Sequence, residues 1–207
     1  MVSTAPRAPT LTPLPVVAMP DDAPESLRGQ PDTKVFAQPG TTFVVYGTGV
    51  IAAFGPAGLM KYAFDLHSFG FPPRSIDHSP YGPQEVVWAR QVGGVLIVQT
   101  SHLGYASDSA NRNGYLTGID RDSGRVVWRS RSLVANAHNF LVVAGMIVSG
   151  YGFTAEKDWL YLLDAKTGRI RHRVAIPSMA EQITRSDDRI VVRCYDARVV
   201  VRLAQQS

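Results

Sequence analysis

Asn113 to Trp128 reads NGYLTGIDRDSGRVVW: an alternating run that closes on Asp120, a tight turn through Arg121 to Gly124, and a returning run that ends on Trp128. Two such runs joined by a glycine-bearing turn read as a β-hairpin. A second copy follows at Trp159 to His172, WLYLLDAKTGRIRH, with Asp164, Thr167 and Gly168 where the first has Asp120, Ser123 and Gly124. A worn third copy, VIAAFGPAGLMKY from Val50 to Tyr62, keeps Gly58 but has Gly55 in place of the aspartate. The chain is therefore built on an internal repeat.

Outward from these hairpins the pattern stays β-rich. Short runs such as KVFAQ, TTFVVYG, GVLIVQT and RIVVRCYD are separated by PG, TG and GG turns, and no stretch longer than about eight residues holds a helical period. Gly40, Gly94, Gly145 and Asp188 fall in register, at steps of 54, 51 and 43 residues, close to the period of a propeller blade. The expected fold is all-β: a small β-propeller of about four blades. The last unit lacks a fourth strand, and the N-terminal strand of residues 13–19 is expected to complete it and close the ring. Residues 1–12, rich in Pro, Ala and Thr, are expected to be a flexible tail, and 13–207 a single propeller domain.

Composition narrows the function classes. With 207 residues, 45% hydrophobic and 18% charged, the chain supports one sizeable core. Its longest apolar runs are short and broken by glycine, so no membrane span and no secretory signal are expected. The single cysteine, Cys194, suits a reducing compartment, and a cytoplasmic location is expected. The net charge of +4 comes from dispersed arginines, without the blocks that mark a nucleic-acid binder.

The motif residues resemble the PQQ-like repeats of the quinoprotein alcohol dehydrogenases and their many relatives. That family's motif runs alanine, any residue, aspartate, three residues ending in threonine, glycine, three residues, tryptophan. It is met here at Gly118 (for alanine), Asp120, Ser123, Gly124 and Trp128. The second copy meets it at Asp164, Thr167 and Gly168, with His172 where tryptophan is expected. In physical terms the aspartate accepts turn amides, the glycine supplies a positive φ, and the tryptophan wedges against the neighbouring blade. These residues are a packing device. The resemblance implies a propeller. PQQ binding is not carried over, because the adjacent cysteines, the calcium site and the eight blades of the quinoproteins are not matched, and no cofactor is expected.

Loop lengths supply the functional argument. Turns between first and second and between third and fourth strands are tight. The long insertions, at 20–33, 67–84, 101–114, 152–158 and 176–180, fall in the other two classes and should share one face. That face collects His67, His78, His102 and His138 with Asp77, Tyr81, Tyr105, Asp108, Glu156 and Asp158. Tyr46 and Tyr151 end equivalent second strands and Tyr195 falls one place further on, so these rings are candidates to line an axial mouth. The expected function is non-catalytic binding of a partner protein or small polar ligand on the long-loop face, with Tyr46, His102, Tyr105, His138, Tyr151 and Tyr195 as ligand-binding candidates. The alternative is a compact, metal-independent lyase, isomerase, cyclase or hydrolase, with His78, His102, His138, Asp108 and Glu156 as its catalytic candidates. No histidine pair has metal-site spacing, so no metal is expected. A monomer is expected, with a dimer through the N-terminal strand as the other assembly.

Overall fold

A computed structural model describes residues 32–69 and 84–203. The tail, the strand at 13–19, Asp77, His78 and Tyr81 lie outside the described residues. Among the described residues, fifteen strands form four antiparallel sheets arranged as the blades of a β-propeller, with neighbouring strands in each sheet also neighbours in the chain. Blade 1 holds β1 (Asp32–Gln38), β2 (Thr41–Tyr46), β3 (Val50–Phe54) and β4 (Met60–Asp65). Blade 2 holds β5 (Glu85–Val92), β6 (Val95–Ser101), β7 (Tyr115–Asp120) and β8 (Val126–Arg129). Blade 3 holds β9 (Leu141–Val143), β10 (Met146–Tyr151), β11 (Trp159–Asp164) and β12 (Ile170–Ala175). Blade 4 holds β13 (Ala180–Ser186), β14 (Arg189–Cys194) and β15 (Arg198–Arg202), three strands among the described residues.

Alternation along the second strands explains the stacking, because successive side chains leave opposite faces of a sheet. On β6, Leu96 and Val98 enter the core shared with blade 1, while Ile97 enters the core shared with blade 3. On β10, Ile147 faces blade 2 and Val148 faces blade 4. Each fully buried aliphatic or aromatic side chain contributes about 1.5–3 kcal/mol, so these interblade layers carry the fold. Blade 4 departs from the pattern. Ile183, Ile190 and Val192 pack toward blade 3, but Gln182, Thr184, Arg193, Arg198, Val200 and Arg202 on its other face are exposed. Among the described residues nothing apolar is packed against that face.

The repeat motif works as its chemistry suggests. Asp120 accepts the Ser123 amide at 2.8 Å and the Ser123 hydroxyl at 2.5 Å, and Asp164 accepts the amides of Lys166 and Thr167 at 3.0 Å. Gly124 and Gly168 take φ of 67° and 65° and close each turn on the aspartate carbonyl. All three copies place a register shift in the same hairpin, at Gly118/Ile119, Leu162/Leu163 and Ala53/Phe54. Trp128 is buried against Gly118 on its own blade and Gly168 on the next, and a Cβ on either glycine would overlap the indole. That contact explains why glycine replaces the motif's alanine at 118.

Candidate functional site

Interblade hydrogen bonds fix which loops share an end of the molecule. Gln84, at the end of the 67–84 insertion, donates to the carbonyl of Arg112 in the 101–114 insertion. Arg129 donates to the Phe69 carbonyl at 3.0 Å, and the Val86 amide to Thr48 at 2.9 Å. The short turns meet at the opposite end, where the Gln91 amide donates to Gln38 and the Tyr62 hydroxyl to Gln91. The described parts of the insertions therefore share one end, as the alternation of an antiparallel meander requires.

Two clefts open at that end. The first, about 460 Å³, lies at the inner strands, where Lys34 and Phe36 of β1 and Glu85 and Trp88 of β5 meet His102 and His138. Lys34 and Glu85 form an ion pair at 2.8 Å across the two blades. Phe36 and Trp88 lie ring to ring at 4.6 Å. Asn113 clamps the His102 backbone, accepting its amide at 2.9 Å and donating to its carbonyl at 3.1 Å. The imidazole is buried, and among the described residues neither ring nitrogen has a hydrogen-bond partner; the Trp88 indole N–H is likewise buried without one. Burial pushes the His102 pKa below its usual value, against the pull of Asp108 and Glu156. The ring is held neutral, one nitrogen a donor and the other an acceptor.

The second cleft, about 570 Å³, lies between blades 2 and 3 and is lined in part by Tyr151, Glu156, Lys157, Trp159 and Arg173. Glu156 latches the two insertions together, accepting the Ala106 amide at 2.5 Å and the Tyr151 hydroxyl at 3.1 Å. Burial, then the Glu156 charge, raises the Tyr151 pKa, so the phenol stays a donor. Nearby, burial raises the Asp158 carboxyl, with Glu156 adding to it.

The expected residues are dispersed. His102 and His138 line the first cleft, and Tyr151 and Glu156 the second. Tyr105 stacks edge-on against Phe153 at 4.8 Å. Tyr46 is buried in a cluster on the far side of blade 1, and Tyr195 is exposed. His67 bonds Asp65 at 2.7 Å. Asp108 sits in a turn of 3-10 helix, Ala106–Ser109. No hydrogen bond joins His102 or His138 to Asp108, Glu156 or Tyr151 among the described residues. Sequence reading missed Lys34, Glu85 and Trp88. Their signal was position: each lies near the loop-end terminus of an inner strand. Among the described residues no group of three His, Cys, Asp or Glu side chains could hold a metal ion, and no helix is long and apolar enough to cross a membrane.

Comparison with known proteins bears on the fold. No curated protein matches the chain by sequence. Among solved structures it is similar to the computationally designed Ika8 protein (TM-score 0.55, 12% identity), covering 82% of this chain and 45% of that one. It is similar too to the computationally designed Ika4 protein (TM-score 0.55, 13% identity), covering 86% of this chain and 94% of that one. BamB from Moraxella catarrhalis gives a TM-score of 0.42 at 12% identity, covering 81% of this chain and 57% of that one. The chain thus spans less than half the length of Ika8. Residues 112–207 match the family model described as outer membrane protein assembly factor BamB. With two copies of the Asp–Gly hairpin motif inside that range, residues 112–207 carry the repeats of the PQQ-like β-propeller family.

Proposed function

We propose that this propeller is a non-catalytic binding module whose small polar ligand, or polar segment of a partner protein, seats in the cleft at the inner strands. The carrying observation is that the His102 imidazole and the Trp88 indole N–H line the same cleft, buried and without hydrogen-bond partners among the described residues. A buried polar group without a partner costs roughly 1–3 kcal/mol, and a ligand offering one donor and two acceptors would recover it. His138, exposed at the rim, and the Lys34–Glu85 pair supply further polar contacts. A thermal-shift screen of small polar metabolites should return compounds that raise Tm in the parent and in Arg198→Gln, but not in His102→Leu. Hits indifferent to both His102→Leu and Trp88→Phe would sink the proposal.

We place the protein in the cytoplasm because its one thiol, Cys194, is buried and free. The BamB description of the matched family points instead to the cell envelope. Fractionation of cells expressing the full chain decides between them, recovery in the envelope overturning the cytoplasmic assignment.

A further inference from the structure

The cleft between blades 2 and 3 carries an unbalanced charge with a defined orientation. Arg131 lies over the Tyr161 ring, its guanidinium carbon 5.8 Å from the centroid, and Arg173 lies over Trp159 at 4.2 Å. Lys157 adds a third cation to the lining. Glu156 is the carboxylate of that lining, and both of its oxygens are engaged, by Ala106 and Tyr151. Among the described residues neither Arg131 nor Arg173 has a carboxylate within ion-pair distance.

A guanidinium resting on an aromatic face keeps its in-plane N–H edge free, and that edge matches the paired oxygens of phosphate or carboxylate. The rings also limit the side-chain freedom lost on binding. We propose that this cleft binds a small soluble oxyanion, an organic phosphate or carboxylate, between Arg131 and Arg173, with its organic part along Trp159. The cleft is large enough for more than the anionic group alone. This site is separate from the inner-strand cleft and does not depend on it.

The test is calorimetric titration of the full chain with inorganic phosphate and with glycerol 3-phosphate at fixed ionic strength. Saturable binding is expected, weakened roughly tenfold or more by Arg131→Gln or Arg173→Gln and unchanged by Arg198→Gln on blade 4. Circular dichroism verifies that the variants are folded. Heats that chloride reproduces at equal ionic strength, or equal weakening by Arg198→Gln, would mean general charge attraction and overturn the proposal. So would capture on phosphatidate vesicles through the same two arginines with no response to either soluble phosphate, which would make the ligand a lipid headgroup.

Discussion

Between blades 2 and 3, Trp128 fills the interface, lodged against Gly118 and Gly168. Between blades 3 and 4 the equivalent position holds exposed His172, and an apolar-walled cleft of about 530 Å³ runs along it, flanked by Leu162, Val174, Ile190 and Val201. The two interfaces share hairpin, bulge and turn chemistry. They differ where the wedge sits: Trp128 faces Gly118 across its hairpin, whereas His172 faces Leu162, and the imidazole is too small and too polar to replace an indole as a wedge. The motif's aspartate and glycine therefore build the hairpin, while its tryptophan closes the gap to the next blade. These are separable jobs.

The contrast is broken most directly by removing the wedge. Trp128→Ala should cost about 3–5 kcal/mol in urea unfolding, whereas His172→Ala should cost less than about 0.5 kcal/mol, as exposed positions do. Equal losses would mean that the indole is not the wedge. Gly168→Ala comes next. Its Cβ would overlap the Trp128 ring, and φ at 65° disfavours any side chain, so a loss of about 2–3 kcal/mol is expected. Restoring only the motif's tryptophan with His172→Trp should bring no gain over the parent, because Leu162 stands across the hairpin where Gly118 faces Trp128 and leaves no room for the indole. A clear gain in urea unfolding would show that the cleft between blades 3 and 4 takes an indole in spite of Leu162.

Smaller effects test the long-loop end and the far face of blade 4. An unfolded histidine takes up its proton near pH 6.5, but buried His102 does so only at lower pH. Between those values the unfolded chain binds more protons, so stability falls as pH drops through 6.5 and levels off below the folded pKa. Thermal melts should show this loss in the parent and not in His102→Leu. Asp164 acts in a separate window. The Arg171 hydrogen bond first, with turn amides adding, holds its pKa at about 2 against 3.8, so its contribution is present above 3.8 and lost as pH falls toward 2. Smallest of all, Arg202→Ala on the open face of blade 4 should change stability by less than about 0.5 kcal/mol, since its pair with Asp188 at 3.3 Å is exposed.

The loop argument put His102 and His138 at the end where the insertions gather, because antiparallel meanders force alternate connections to the same end. It could not rank the tyrosines. Tyr46, Tyr151 and Tyr195 fall at or beside matching repeat positions, yet one is buried in blade 1, one bonds Glu156, and one is exposed. Equivalent repeat positions do not have equivalent neighbours when loops and blade ends differ. Arg131 and Arg173 were invisible for a related reason. Read along the chain they are dispersed surface charge, and only the packing of β11 and β12 against the segment after β8 sets them over two aromatic rings beside one cleft.

Local chemistry was enough to specify the hairpins, their turns, the number of sheets and the end at which the insertions gather. Period-two alternation, positive-φ glycines and aspartate-capped turns act within a few residues of chain. Which buried groups were left unsatisfied, which cations lost their counter-charges, and which face of blade 4 stayed in water were decided only by contacts between blades. Those contacts join residues far apart in sequence, and their energies depend on burial and distance, which no reading of neighbouring residues contains.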